Sequence, residues 1–317
     1  MQPDAAGMVH EGRDGYLFLS GGEHSVFSYF TGKSAPQAGS PEVFWANLAG
    51  RAAWCASAGI VWRHVIFPEK CVILRDLLAP GMDISSLFLR HYAPLASDYA
   101  SGGLPVLYPV AALTQEQGCC ARTDTHYSAR GNIRITSAIV QDLFPEAQAE
   151  FLSRGLGLLQ PREIDTGDLG RKLVPPRSEM ADCLTKRIVP FKMGSNGISG
   201  GNDGIMVLIE SRSAISDKTL LIFGDSFFRA TLPMLAVFYR NIVFCRSRFF
   251  HSEIIRAIRP DHIFTGQAER YLTRIAADSD RPHFLSYPYI KGHRMTPDET
   301  FCTLWPKLVA AEGLLTG

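Results

Sequence analysis

Three short apolar runs constrain the fold most: Thr219-Leu-Leu-Ile-Phe-Gly224, Asn241-Ile-Val-Phe-Cys245 and His262-Ile-Phe-Thr-Gly266. Between them lie Phe227 to Tyr239 and Ser252 to Ile258, whose apolar residues recur at helical spacing. Strands joined by helical crossovers run parallel, and the helices then cover both faces of their sheet. The same reading extends upstream. Val61 to Pro68 and Leu104 to Tyr108 are expected strands, and Pro41 to Ala58 is an expected helix with Pro41 placed to start it. Ile133 to Leu143 has a further helical pattern. An α/β fold with a mainly parallel sheet follows. The segment 147–204 carries Pro161, Gly167, Gly170, Pro175, Pro176, Gly197, Gly200 and Gly201, and is expected to be a loop-rich insertion or small subdomain within one domain spanning 1–317.

Composition removes several function classes. Lys and Arg number 32 against 31 Asp and Glu, so no basic face is built to neutralise many phosphates, and nucleic acid is not an expected partner. The apolar runs are far shorter than the roughly 20 residues of a spanning helix, so no membrane insertion is expected. The N-terminal Met1-Gln-Pro-Asp-Ala-Ala-Gly7 has neither a basic nor an apolar region of a secretory signal. The 7 cysteines (55, 71, 119, 120, 183, 245 and 302) include no Cys-x-x-Cys pair and fit neither a disulfide framework nor a zinc site. Reduced thiols and a cytoplasmic address are expected, with the periplasm as the alternative if the chain has been trimmed.

Two segments carry chemistry. In Leu220-Leu-Ile-Phe-Gly224-Asp225-Ser226-Phe227 an apolar strand runs into a turn, and a helical pattern begins at once. Ser226 therefore sits where open α/β sheets place their ligands, beside the N–H groups and positive dipole end of a helix. The alternative is that Asp225 or Ser226 only caps the helix. Phe228 replaces the second glycine of a Gly-x-Ser-x-Gly elbow, and no phosphate-binding loop is present. The second segment, Arg122-Thr-Asp124-Thr-His126-Tyr127, spaces a carboxylate two residues from an imidazole. In extended backbone these point to one side, so Asp124 can hold one ring nitrogen and leave the other to take a proton. A capped polar turn with a surface histidine is the competing reading.

Together, a Thr-Asp-Thr-His-aromatic turn about 100 residues before Gly-Asp-Ser-Phe resembles the SGNH-hydrolase-like family of polysaccharide O-acetyltransferases typified by the alginate O-acetylation proteins. Glu11-Gly-Arg-Asp-Gly-Tyr-Leu-Phe18, Val65-Ile-Phe-Pro-Glu-Lys70 and Pro260 to Leu272, with its Glu269-Arg270, are similar to further segments of that family. Tyr127 stands where tryptophan is common. The resemblance implies an SGNH/flavodoxin-like three-layer sandwich whose Asp-x-His pair precedes the serine, a circularly rearranged motif order relative to secreted SGNH esterases. It also implies a Ser226–His126–Asp124 triad, an acetyl-serine intermediate, no cofactor or metal, a glycan acceptor, and an acetyl donor delivered by a membrane acyltransferase partner. Asn202, Arg246, Arg248 and Tyr127 are weaker candidates for the oxyanion or substrate. Asp225 reads as a turn-holding group, and Glu269 and Arg270 as a helix start or ion pair. Tyr16, Phe18 and Trp45 are candidates for sugar stacking, whereas Trp54 and Trp62 read as core. The alternatives are a carbohydrate or small-ester acetylesterase and a non-catalytic glycan-binding component of a polysaccharide assembly system.

Overall fold

The apolar runs lie side by side in one sheet. The computed structural model describes residues 7–99, 103–165, 167–198 and 202–309, so the N-terminal Met1 to Ala6, Gly200 and Gly201 lie outside it. The central sheet has seven strands: β1 (Val61–Phe67), β2 (Val106–Leu107), β3 (Lys192–Ser195), β4 (Met206–Glu210), β5 (Thr219–Gly224), β6 (Asn241–Arg246) and β7 (His262–Ala268). Their order is β2-β1-β7-β5-β6-β4-β3. From β2 to β6 every neighbour is parallel. At the other edge β4 and β3 add antiparallel.

The principal helices are α1 (Ser40–Ser57), α2 (Ala129–Val140), α3 (Gln148–Gly157), α4 (Ser226–Leu235), α5 (Ser252–Ile258) and α6 (Glu299–Leu308). Alternate strand residues feed two separate cores. Leu220 and Ile222 face the side covered by α2, α3 and α4, with Ile133, Phe151 and Leu232 among their neighbours. Leu221 and Phe223 face the side covered by α1, α5 and α6, packing with Leu48, Ile255 and Leu304. This makes three layers. Each such side chain, fully withdrawn from water, contributes roughly 1.5–3 kcal/mol before the entropy of ordering is charged.

Two helices differ from the spacing. α2 starts at Ala129, four residues before Ile133, because Ser128 Oγ accepts from the Gly131 N–H and caps it. α4 stops at Leu235, where the N–H groups of Phe238 and Tyr239 both turn back to the Leu235 carbonyl. The segment 147–204 is more regular than its composition suggests. It holds α3, an antiparallel ribbon of Leu159–Ile164 with Glu179–Leu184, and β3. The ribbon's first strand is mostly exposed, so its charged residues leave no apolar period to read. Among the described residues no helix is long and apolar enough to cross a membrane.

Candidate active site

Ser226 is the first residue of α4, directly after β5. Asp225 caps that helix: Oδ1 accepts from the Phe227 N–H at 2.9 Å, and Oδ2 accepts from the Ala268 N–H at 2.7 Å, tying the end of β7 to the serine turn. Burial raises the Asp225 carboxyl, opposed by these two N–H donors. The tight turn depends on glycine twice. A Cβ on Gly224 would stand 2.7 Å from Phe228, and one on Gly266 would stand 2.4 Å from the Val65 carbonyl.

The Asp-x-His turn meets the serine across the top of the sheet. His126 Nε2 lies 2.9 Å from Ser226 Oγ, and His126 Nδ1 lies 2.7 Å from Asp124 Oδ1. The His126 backbone N–H donates to the same Oδ1 at 2.8 Å, and the Asp168 N–H donates to Oδ2 at 3.0 Å. Burial alone would raise the Asp124 carboxyl. The donors from His126 and Asp168 outweigh it and hold that carboxyl well below the usual range. Asp124 therefore stays ionised at neutral pH. Phe227 packs on the imidazole, with ring centroids 4.9 Å apart.

Three groups that sequence reading did not single out hold this turn. Asp168 accepts from the Thr125 N–H at 2.7 Å and the Thr125 hydroxyl at 2.6 Å. Glu179 accepts from the N–H groups of Arg122 and Thr123 at 2.7 and 2.8 Å, and from the Thr123 hydroxyl at 2.6 Å. Lys70 is buried, and its Nζ donates to the carbonyls of Arg122 and Asp124, both at 3.0 Å. Its loss of solvation pushes its pKa down to about 8. The only hints were Lys70's place in the Pro-Glu-Lys strand end and the polar character of 147–204.

Asp124, His126 and Asp168 also bring ligand-type atoms within 4.8 Å of one another. Those atoms are engaged in the bonds just described, which tie the turn together.

The weaker candidates separate. Asn202, Arg246 and Arg248 line a cavity of about 310 Å³ that also takes in Gly224 and Asp225, but neither Ser226 nor His126. Tyr127 belongs to the core instead. It is buried, its hydroxyl donates to the Pro68 carbonyl at 2.7 Å, and its ring packs on Phe227. Phe18, Trp45 and Trp62 are buried as well, so only Tyr16 of the three stacking candidates keeps partial exposure. Glu269 accepts from Ser86, Phe88, Tyr108 and Glu69, and Arg270 Nε lies 2.9 Å from Glu69 Oε2. Cys119 and Cys120 are buried, and burial raises their thiols to about 11 and about 12, so neither is a thiolate at neutral pH.

No family model matches the chain, and no curated protein matches its sequence. Solved structures do share its fold. PatB1 from Bacillus cereus superposes with a TM-score of 0.59 at 12% identity, over 83% of this chain and 96% of that one. The same protein with a sulfonyl adduct gives 0.56 at 10% identity, over 83% and 97%. At these identities the likeness is one of fold. The matching structures also include the O-acetyltransferase domain of Pseudomonas putida AlgJ, with a TM-score of 0.50 at 17% identity over 88% of this chain and 97% of that one.

Proposed function

We propose that the chain is an acyl-transfer enzyme that moves an acetyl group onto a hydroxyl of a bacterial glycan through Ser226, His126 and Asp124. The observation that carries this reading is the unbroken relay from Ser226 Oγ to His126 Nε2 at 2.9 Å and from His126 Nδ1 to Asp124 Oδ1 at 2.7 Å, set at a helix N-terminus. The fold shared with the AlgJ O-acetyltransferase domain supports it.

The geometry supports the following steps. A hydroxyl is a poor nucleophile at neutral pH, so His126 takes the Ser226 proton as Oγ adds to the acetyl carbonyl. Ionised Asp124 fixes the ring tautomer and stabilises the imidazolium. The Ser226 N–H, at the first helical position, has no intrahelical carbonyl to serve and can donate to the oxyanion. The proton then leaves with the donor's oxygen, giving acetyl-Ser226 and neutral His126. A sugar hydroxyl, deprotonated by the same imidazole, resolves the ester. This chemistry needs no metal or organic cofactor. The acetyl donor would come from a membrane acyltransferase partner.

The test is turnover of a chromogenic acetate ester. Ser226→Ala, His126→Ala and Asp124→Ala should each lower kcat/KM by roughly 10³-fold or more, with unchanged circular dichroism. Full activity in Ser226→Ala would overturn the assignment. An esterase would use the same triad. Mass spectrometry of reactions with added oligosaccharide separates the two, since a transferase yields acetylated sugar and an esterase only acetate. The non-catalytic reading is disfavoured by the relay, which a binding scaffold has no physical reason to assemble.

A further inference from the structure

A second hydroxyl–imidazole–carboxylate relay stands at the end of the neighbouring strand. Ser247 Oγ lies 2.8 Å from His251 Nε2, and His251 Nδ1 lies 3.0 Å from Glu253 Oε1. Arg246 pairs with Gly224 at the ends of the parallel strands β6 and β5, so Ser247 leaves the sheet beside the Gly224–Ser226 turn. All three residues are withdrawn from bulk water, with Ser247 3%, His251 0% and Glu253 4% exposed. Ser247 nonetheless lines the 310 Å³ cavity, which the first triad's serine and histidine do not.

The relay is wired in one direction. Glu253 accepts from the Phe284 N–H at 2.9 Å; burial alone would raise its carboxyl, but the hydrogen bond from His251 and then the Phe284 N–H push its pKa down to about 2 and keep it anionic. His251 is lowered by burial and is neutral, so Nδ1–H donates to Glu253 and Nε2 accepts the Ser247 hydroxyl. The Ser247 oxygen meanwhile accepts from the Phe249 N–H at 3.1 Å. The rings of Phe223, Phe284 and Tyr287 wall the imidazole in and fix its orientation. Nucleophile, base and orienting acid within bonding reach of one another are the structural signature of an activated serine. Arg246 and Arg248, on either side of Ser247 in sequence, line the same cavity.

We propose that Ser247, His251 and Glu253 form a second acyl-accepting centre, which takes a short acyl group from a carboxylic ester bound in this cavity. Ser247 Oγ bonds to the carbonyl carbon while its proton passes to His251 Nε2. The ester C–O bond then breaks, and that proton leaves on the alcohol oxygen. Ser247 is left acylated and His251 neutral. Water or a second hydroxyl returns the serine by the same steps in reverse.

Phenylmethylsulfonyl fluoride, with labelled peptides mapped by mass spectrometry at neutral and mildly alkaline pH, tests this residue by residue. Ser226→Ala protein should take up one sulfonyl group on the peptide holding Ser247, and Ser226→Ala/Ser247→Ala should take up none. Glu253→Gln in the Ser226→Ala background should slow labelling tenfold or more. Should Ser226→Ala fold poorly, the wild-type chain serves, and label on both serine peptides is then expected. Folded protein that carries no label at Ser247 would overturn the proposal and leave the relay as a purely structural tie to the 284–287 segment. Label at Ser226 is read on a separate peptide, so failure of the first triad is distinguishable from failure of the second.

Discussion

At the scale of single residues, Asp124 and Lys70 divide the work of the histidine turn. Asp124 spends both oxygens on its own turn and on Asp168, and its folded pKa lies below its unfolded value. Its contribution to stability is complete above the unfolded carboxylate range near about 4 and is lost as pH falls through the folded value. Asp124→Asn should therefore flatten the acid limb of stability measured by denaturant titration, and lower kcat by roughly 10³–10⁴-fold through the wrong tautomer. Lys70 titrates in the alkaline range, and there its charged form is the disfavoured one. Its pKa is lowered to about 8 from 10.5 by desolvation, so between these values the unfolded chain binds more protons and stability rises with pH. Lys70→Met should abolish that rise. It leaves the Arg122 and Asp124 carbonyls without their donor, at about 1–3 kcal/mol each, and should reduce acetate turnover by loosening the turn.

At the scale of elements, the chain around Asp168 is the support on which the Asp-x-His turn rests. Gly167 and Gly170 let it approach. A Cβ on Gly167 would stand 2.3 Å from the Thr123 carbonyl oxygen and 2.7 Å from the Asp124 nitrogen, so backbone must move to admit it. Gly167→Ala should cost about 1–3 kcal/mol in thermal unfolding. Activity should fall by up to roughly 10²-fold, because a displacement near 1 Å at the base breaks the relay. The serine element is more self-contained. Its strand, its cap and its helix start are consecutive in the chain, and Asp225 ties the turn outward to Ala268.

At the scale of the molecule, a buried charged network joins the two halves below the site. Glu69 follows β1, and Arg270 and Glu269 follow β7, about 200 residues later. Arg270 Nε and Glu69 Oε2 are 2.9 Å apart and off-line for a hydrogen bond, so the pair is held by charge. Both are nearly excluded from water, at 5% and 2% exposure. Glu69→Gln strands the guanidinium and should destabilise the fold by about 3–5 kcal/mol, read as a lower urea midpoint. Replacing both, as Glu69→Gln with Arg270→Met, should recover part of that loss.

The sequence alone determined what depends on neighbours along the chain. The apolar runs predict the parallel strands β1, β5, β6 and β7, because a strand buried on both faces needs apolar residues without interruption. The Gly-Asp-Ser turn and the Asp-x-His spacing were legible for the same reason, since Asp225 and Ser226, and Asp124 and His126, each sit within two residues of each other. The ribbon in 147–204 was not, because exposed pairing imposes no apolar period. Only the tertiary structure decided the rest. It brought His126 to Ser226 across 100 positions, set Asp168, Glu179 and Lys70 under the turn, and moved Tyr127 into the core. It also oriented His251 between Ser247 and Glu253. Hydrogen-bond reach is about 3 Å in space whatever the separation in sequence, and only the packed sheet sets those distances.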